Sequence, residues 1–427
     1  MFAVFPLSKI YFRHRNELAK DILQEGIIMD TTKAVEKLWT TDYIFSVLLL
    51  FLCNLGPCLV VAVISVFAKN LTGSDTYAGM MASVFALSGF AGRFLCAALL
   101  EKINCKKLMI FSAAVLCGAS FGYLFTSNFP VAVALRLLQG LGYSLTATTM
   151  STYIVKIVPV SRRLDGIGYS TMAGQLASVI GPSVAFAVVG VNYDRFTLLF
   201  GVVFAITALT TLGLFFVRNI SIRAEKSQHE NKDASRINWI ALLPMLTALF
   251  LIDFVFGPLS SLLSLYAIEI NIGNVGSYFL LSAAGMMLSR FTASKIVQKL
   301  GMNQSVIAFA GLLVIGLLGI SRVNALWQLF LLALVMGFAQ GSLLPLVNTI
   351  LLNRMPESKS GVANAVFYGI GDFSFIISPT LMGTVAGLTS YRTMFFLSAG
   401  IALTGLVIFV ISMVLSRKKA VAVPTRE

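Results

Sequence analysis

Charge is scarce in this chain. Asp, Glu, Lys and Arg make up 12% of its 427 residues, against about 25% in a soluble domain. So little polar surface cannot clothe a water-soluble fold of this size. It also excludes a disordered chain, which needs low hydrophobicity and high charge. Histidine is nearly absent: His14 and His229 are the only two, and both lie in polar segments. No imidazole is therefore available for metal binding or proton shuttling in the apolar body. Cysteine is sparse as well. Cys53, Cys58, Cys96, Cys105 and Cys117 show no metal-ligand spacing and no plausible pairing outside the cell, so they read as small apolar filler. There is no nucleophile–base pair, no metal set and no phosphate-binding P-loop. Those absences argue against an enzyme, against ATP as an energy source and against any cofactor beyond an ion gradient. Long polar segments on one side of the chain are missing too, which excludes a receptor ectodomain. The apolar runs do not alternate, so a closed β-barrel is excluded.

What the chain has is apolar length. The hydrophobic share is 57% and the mean hydropathy +0.87. About 20 apolar residues span a bilayer as a helix, and twelve such stretches can be read between residues 43 and 415. The expected organisation is a polar N-terminal segment (1–42), six helices (43–217), a polar linker (218–237), six more helices (238–415) and a short tail (416–427). The net charge of +14 would suit a nucleic-acid partner, but its distribution argues otherwise. Basic residues gather before residue 43, at Lys102–Lys107, at Lys156–Arg163, in the linker and after Arg417, whereas the alternate connections carry only Lys69, Arg195, Arg322 and Arg392. This is positive-inside bias, and it places both termini in the cytoplasm. The even helix count agrees. The lipid bilayer, not a nucleic acid, is the expected surrounding. Residues 1–28 lack the long apolar region of a signal peptide. They read either as an amphipathic cytoplasmic helix or as an upstream extension of a chain that begins at Met29.

Two stretches are written twice. Ala78–Phe94 aligns without a gap on Val275–Phe291, placing Gly79 over Gly276 and Arg93 over Arg290. At the same spacing Gly174 falls on Gly371, Pro182 on Pro379 and Gly190 on Gly387. At a slightly longer spacing Gly56-Pro57 falls on Gly257-Pro258, and Gln139-Gly140 on Gln340-Gly341. Two related apolar halves are the sequence mark of a secondary transporter whose site lies between them.

Several motifs carry a resemblance. Gly92–Lys107 (GRFLCAALLEKINCKK) resembles the signature between helices 2 and 3 of the major facilitator superfamily. Glu101 stands at the acid position, and Lys102, Lys106 and Lys107 supply basic charge. Asn104 replaces the usual glycine, and Cys105 one basic residue. An acid at a helix end can hold a neighbouring terminus or basic group and keep one conformation shut. The second copy keeps Arg290 but has Gln298 and Lys299 at the acid–basic pair, so a charge latch is expected to be weaker there. Arg136–Ser144 (RLLQGLGYS) resembles the helix 4 signature of the same superfamily. Gly174–Ala185 (GQLASVIGPSVA) resembles the helix 5 signature that marks its antiporters, with Gly181 and Pro182 at a bendable close approach. Val158–Tyr169 and Lys37–Phe45 also look like twelve-helix bacterial drug:proton antiporters. The resemblance implies an all-α fold of two pseudo-symmetric six-helix bundles in the bacterial plasma membrane. It further implies a central cavity lined by helices 1, 4, 7 and 10, and a role for Arg136 in tuning a nearby carboxylate.

Deep in the predicted helices lie two acids, Asp372 in helix 11 and Asp253 in helix 7. A carboxylate held in low dielectric can take up and release a proton near neutral pH. Asp372 is the first candidate for proton coupling, Asp253 the second, with Arg136 beside them. A fixed ion pair of either acid with Arg136 is the structural alternative. Asn54, Gln139, Gln340 and Asn348 are candidates for the substrate cavity. Arg93, Glu101, Lys102, Gly181, Pro182 and Arg290 are candidates for gating. The expected function is proton-coupled export of a small organic molecule by a monomer. Proton-coupled uptake of a metabolite, and a non-transporting sensor built on the same fold, are the alternatives.

Overall fold

The computed structural model describes residues 37–190, 193–220, 239–273, 275–355 and 359–421. Residues 1–28 and most of the linker lie outside that set. All regular structure among the described residues is helical. The helices are α1 (Thr41–Thr72), α2 (Asp75–Leu100), α3 (Cys105–Phe125), α4 (Phe129–Ile157), α5 (Arg163–Val189) and α6 (Phe196–Phe216). After the linker come α7 (Trp239–Ser261, continued by Leu263–Glu269), α8 (Gly276–Leu300), α9 (Met302–Ile320), α10 (Leu326–Asn353), α11 (Ser360–Leu388) and α12 (Tyr391–Val421). Ten of these are long and apolar enough to cross a membrane. The two outside that group are α4 and α8, which carry Arg136, Gln139 and Lys156 in one case and Arg290, Lys295, Gln298 and Lys299 in the other.

Helices form because the bilayer leaves backbone groups no other partner. Hydroxyl residues inside them are absorbed by their own helix: Ser112 and Ser120, for example, donate to the carbonyls of Leu108 and Leu116, each at 2.8 Å. The side chains of Thr40 and Asn104 cap α1 and α3, accepting from the Tyr43 and Lys106 amides at 3.2 and 3.0 Å. The first helix of each half is jointed near a Gly-Pro pair. α1 breaks at Ala62-Val63, a few residues past Pro57, and α7 breaks at Val255 and Leu262, on either side of Pro258.

Small residues decide which helices touch. Gly140 lies on Phe85 and Ser88, joining α4 to α2, and Gly337 lies on Ser282, joining α10 to α8. Gly181 of α5 meets Cys58 of α1, which brings Pro182 beside the Gly56-Pro57 joint. Helices α1–α6 pack into one bundle and α7–α12 into the other.

The halves meet along two seams, α2 with α11 and α5 with α8. Gly79 rests on the Pro379 carbonyl, and its repeat counterpart Gly276 rests on Phe186 and Ser183. Ser83 accepts from the Thr380 amide at 3.2 Å, and Ser183 donates to the Gly276 carbonyl at 3.0 Å. Thr380 is the counterpart of Ser183. The internal repeat thus appears in space as two related seams. Ser264 adds a hydrogen bond to the Ala62 carbonyl, 3.0 Å, where the joints of α7 and α1 meet. These contacts cluster at the end that carries the α1–α2 and α7–α8 turns, where the halves are closed against each other.

Candidate functional site: a polar centre between the halves

The site is built from six helices, α1, α2, α4, α7, α10 and α11. On α11, Asp372 forms an ion pair with Arg93 of α2. This pair joins the two halves on the α2–α11 seam. It lies fourteen residues along α2 from Gly79, a rise of about 21 Å. The side chains are 51% and 24% exposed, so water reaches the pair. Asp253 of α7 sits beside it. A Cβ added at Gly371 would come within 3.2 Å of Asp253 Oδ2, so the glycine preceding Asp372 is what allows this acid in. Asp253 is 6% exposed, and no ion pair or hydrogen bond to it is recorded among the described residues. Two carboxylates therefore share one site, one paired with a cation and the other alone.

The α1 and α4 side is aromatic and amide-rich. Tyr143 donates to Asn54 Oδ1 at 2.8 Å, while Asn54 Nδ2 donates to the Leu50 carbonyl at 2.7 Å. Tyr143 stacks on Phe85 with ring centroids 5.7 Å apart. Phe85 also receives the Arg136 guanidinium, 4.3 Å from its centroid. Arg136 is fully buried. It donates from Nε to the Met81 carbonyl at 3.2 Å and from Nη1 to Gln139 Oε1. Arg136 Nη2 and Gln139 Nε2 find no partner among the described residues. The carboxylate expected beside Arg136 is not there: Asp372 pairs with Arg93 instead, and the face of Phe85 occupies the space next to Arg136. Gln139 is likewise fully enclosed, tied to Arg136 by the close α2–α4 packing rather than facing open space. On α10, Gln340 and Asn348 are half-buried, and Asn348 Nδ2 donates to Asn364 Oδ1 at 3.2 Å.

The gating candidates divide. Arg93 holds the cross-half ion pair, and Gly181-Pro182 sits at the α1–α5 contact. Glu101 and Lys102 are exposed in the α2–α3 turn with no ion pair recorded among the described residues; the cross-half ion pair is formed instead by Arg93 and Asp372, eight residues along α2 from Glu101, a rise of about 12 Å. Arg290 lines a cleft between α8 and α10.

Sequence reasoning missed three contributors. Tyr143 was readable, because Arg136, Gln139 and Tyr143 fall at helical spacing on one face of α4. Asp75 and Lys69 were not. They form an ion pair of 2.6 Å at the closed end, where Tyr391 of the other half donates to Asp75 and Lys69 lies 5.2 Å from the Tyr391 ring. Nothing in a short connecting loop announces such a cross-half bond.

The profile of the Major Facilitator Superfamily matches residues 44–325 and 306–427. The chain belongs to the major facilitator superfamily. It is a multi-pass membrane transporter and not an enzyme. Among its relatives, the staphylopine export protein of Staphylococcus aureus is 21% identical over 354 residues, covering 78% of this chain and 87% of the relative. The quinolone resistance protein NorA of Staphylococcus aureus is 23% identical over 371 residues, covering 85% and 94%. The crystal structure of the nucleoside transporter NupG superposes with a TM-score of 0.71 at 12% identity, covering 88% of this chain and 99% of that one. That likeness confirms the fold of two helical bundles.

Proposed function

We propose that this protein is a proton-driven exporter of small organic molecules in the bacterial plasma membrane, working as a monomer with both termini in the cytoplasm. In this reading α4 and α8 also span, which completes twelve crossings. The observation that carries the proposal is the Arg93–Asp372 ion pair between the halves, with the unpaired, buried Asp253 beside it. Ionised Asp372 attracts Arg93 and favours closure of the α2–α11 seam. A proton on Asp372 cancels that attraction and lowers the cost of parting the seam. Asp253 offers a second place for the same proton within the site. Substrate enters between Asn54, Tyr143 and the α10 amides. Closure at the α1–α2 end is then closure on the outer face of the membrane. Export is supported by the helix 5 signature around Pro182 and by relatives named for export and drug resistance.

The test is transport in everted membrane vesicles, with substrates first chosen by a growth-inhibition panel on an efflux-deficient host. Acid-driven uptake into everted vesicles is expected for the native chain. Asp372→Asn should abolish it while leaving membrane insertion intact. Unchanged transport by this variant would refute the coupling role. Transport seen only in right-side-out vesicles would reverse the direction.

A further inference from the structure

The two arginines that the repeat places in register have different fates. Arg93 is neutralised by Asp372. Arg290, its counterpart on α8, has no ion pair or hydrogen bond recorded among the described residues, and at the place corresponding to Asp372 the chain has Gln175. The grooves beside the two arginines differ as well. Beside Arg93, α2 and α4 are shut: Ser144 donates to the Gly89 carbonyl at 2.6 Å, and Cys96 lies 3.3 Å from Thr149 Oγ1. At the corresponding positions α10 has Pro345 and α8 has Ala293. Proline can neither make the serine's bond nor continue the helix ladder, and the small alanine fills less of the groove. The result is a cleft of ≈ 390 Å³ between α8 and α10.

The cleft's chemistry is one-sided. Arg290 is its sole charged residue, Ser294, Gln298 and Thr349 add polar groups, and Val297 and Leu346 give apolar wall. Ser342 also lines it. That residue is 2% exposed, and its Oγ has no hydrogen-bond partner among the described residues. Arg290, an exposed cation without a counter-charge, and Ser342, a buried residue whose hydroxyl has no partner, line the same space. Each is costly at membrane depth unless an anion or acceptor arrives, and α8 lies at the depth of α10, which is apolar enough to span.

We propose that the α8–α10 cleft binds an amphiphilic anion. Its phosphate or carboxylate group is held by Arg290 and Ser342, and its apolar body lies against Val297 and Leu346. A membrane phospholipid and a soluble organic anion share this chemistry. The site is separate from the Arg93–Asp372 centre and does not depend on proton coupling or on transport direction.

The test uses the full-length purified protein. Binding of phosphatidylglycerol is compared with phosphatidylcholine, and hexyl phosphate with hexanol, by native mass spectrometry and equilibrium dialysis. The anionic member of at least one pair is expected to bind roughly tenfold tighter or more, the range of a charge-assisted hydrogen bond. Arg290→Gln should erase that preference and Arg290→Lys should keep most of it. Ser342→Ala should weaken it roughly two- to tenfold. Size-exclusion profiles confirm that each variant is folded, and Arg290→Lys keeps the test informative if the glutamine variant does not fold. Preference confined to phosphatidylglycerol identifies the occupant as lipid, whereas equal preference for hexyl phosphate identifies a soluble anion. No preference in either pair, or one that survives Arg290→Gln, overturns the proposal. None of these readouts requires transport, so a failed transport assay leaves them intact.

Discussion

If the Arg93–Asp372 pair holds the α2–α11 seam closed, its two members must act as one unit. Removing either charge should open the seam, and removing both should open it little further. The expected size follows from the geometry. Two charges 4 Å apart interact by about 4 kcal/mol at an effective dielectric of 20, but Arg93 is half exposed and Asp372 about a quarter exposed, so screening reduces the net coupling to about 1–2 kcal/mol. That range corresponds to a roughly 5- to 30-fold shift in the balance of closed and open seam. Ser83 gives the readout, because it lies inside the seam against the Thr380 amide and is buried. A Ser83→Cys probe should react with a small maleimide only when the seam parts, and the native cysteines supply a background measured without it. Arg93→Gln or Asp372→Asn should each raise the labelling rate roughly 5- to 30-fold. The double variant should match the larger single effect, leaving an interaction energy of about 1–2 kcal/mol in the double-mutant cycle. Effects that simply multiply would show that the two side chains do not cooperate, and the latch would have to be abandoned.

Two other outcomes follow from packing. Gly79→Ala places a Cβ into the Pro379 carbonyl; because that neighbour is backbone, the seam should part at a cost of about 1–3 kcal/mol, read as faster Ser83→Cys labelling with the helix content by circular dichroism unchanged. Asp253→Leu replaces a buried, unpaired carboxyl by an apolar group, so the melting temperature should rise, by about 1–3 kcal/mol of stability, while proton-driven transport falls; a lower melting temperature would mean that the acid has a structural partner.

Much of the architecture was legible in the sequence. The coincidence of Gly79 with Gly276 and of Pro182 with Pro379 pointed to two related halves, and in the structure Gly79 meets Pro379 across one seam while Gly276 meets Ser183 and Phe186 across the other. The apolar runs gave the helices because length and hydropathy alone decide whether a segment can cross lipid. The centre was less legible. Asp372 and Asp253 could be singled out, since an acid in an apolar run is conspicuous. Their partners could not be assigned. Arg93 and Asp372 are 279 residues apart, and their meeting depends on the rotation of α2 and α11 about their axes. Pattern alone does not fix that rotation in helices that are apolar all round. The resemblance alone suggested a carboxylate near Arg136. In the structure its charge is spent on Phe85, Gln139 and a carbonyl, partners that no spacing rule distinguishes from a carboxylate. Arg290 looked like the mirror image of Arg93, and only the lost acid on α5 and the proline on α10 reveal that its surroundings differ.

The two seams are built of unequal materials. Where α5 meets α8, the bond is aromatic and uncharged, with Phe186 and Phe279 stacked 5.8 Å apart. Where α2 meets α11, an ion pair spans the gap. In the proposed mechanism acid acts on the second and leaves the first untouched. A chain assembled from two like halves would then swing as a door does, its pivot indifferent to acid and its bolt drawn by a proton.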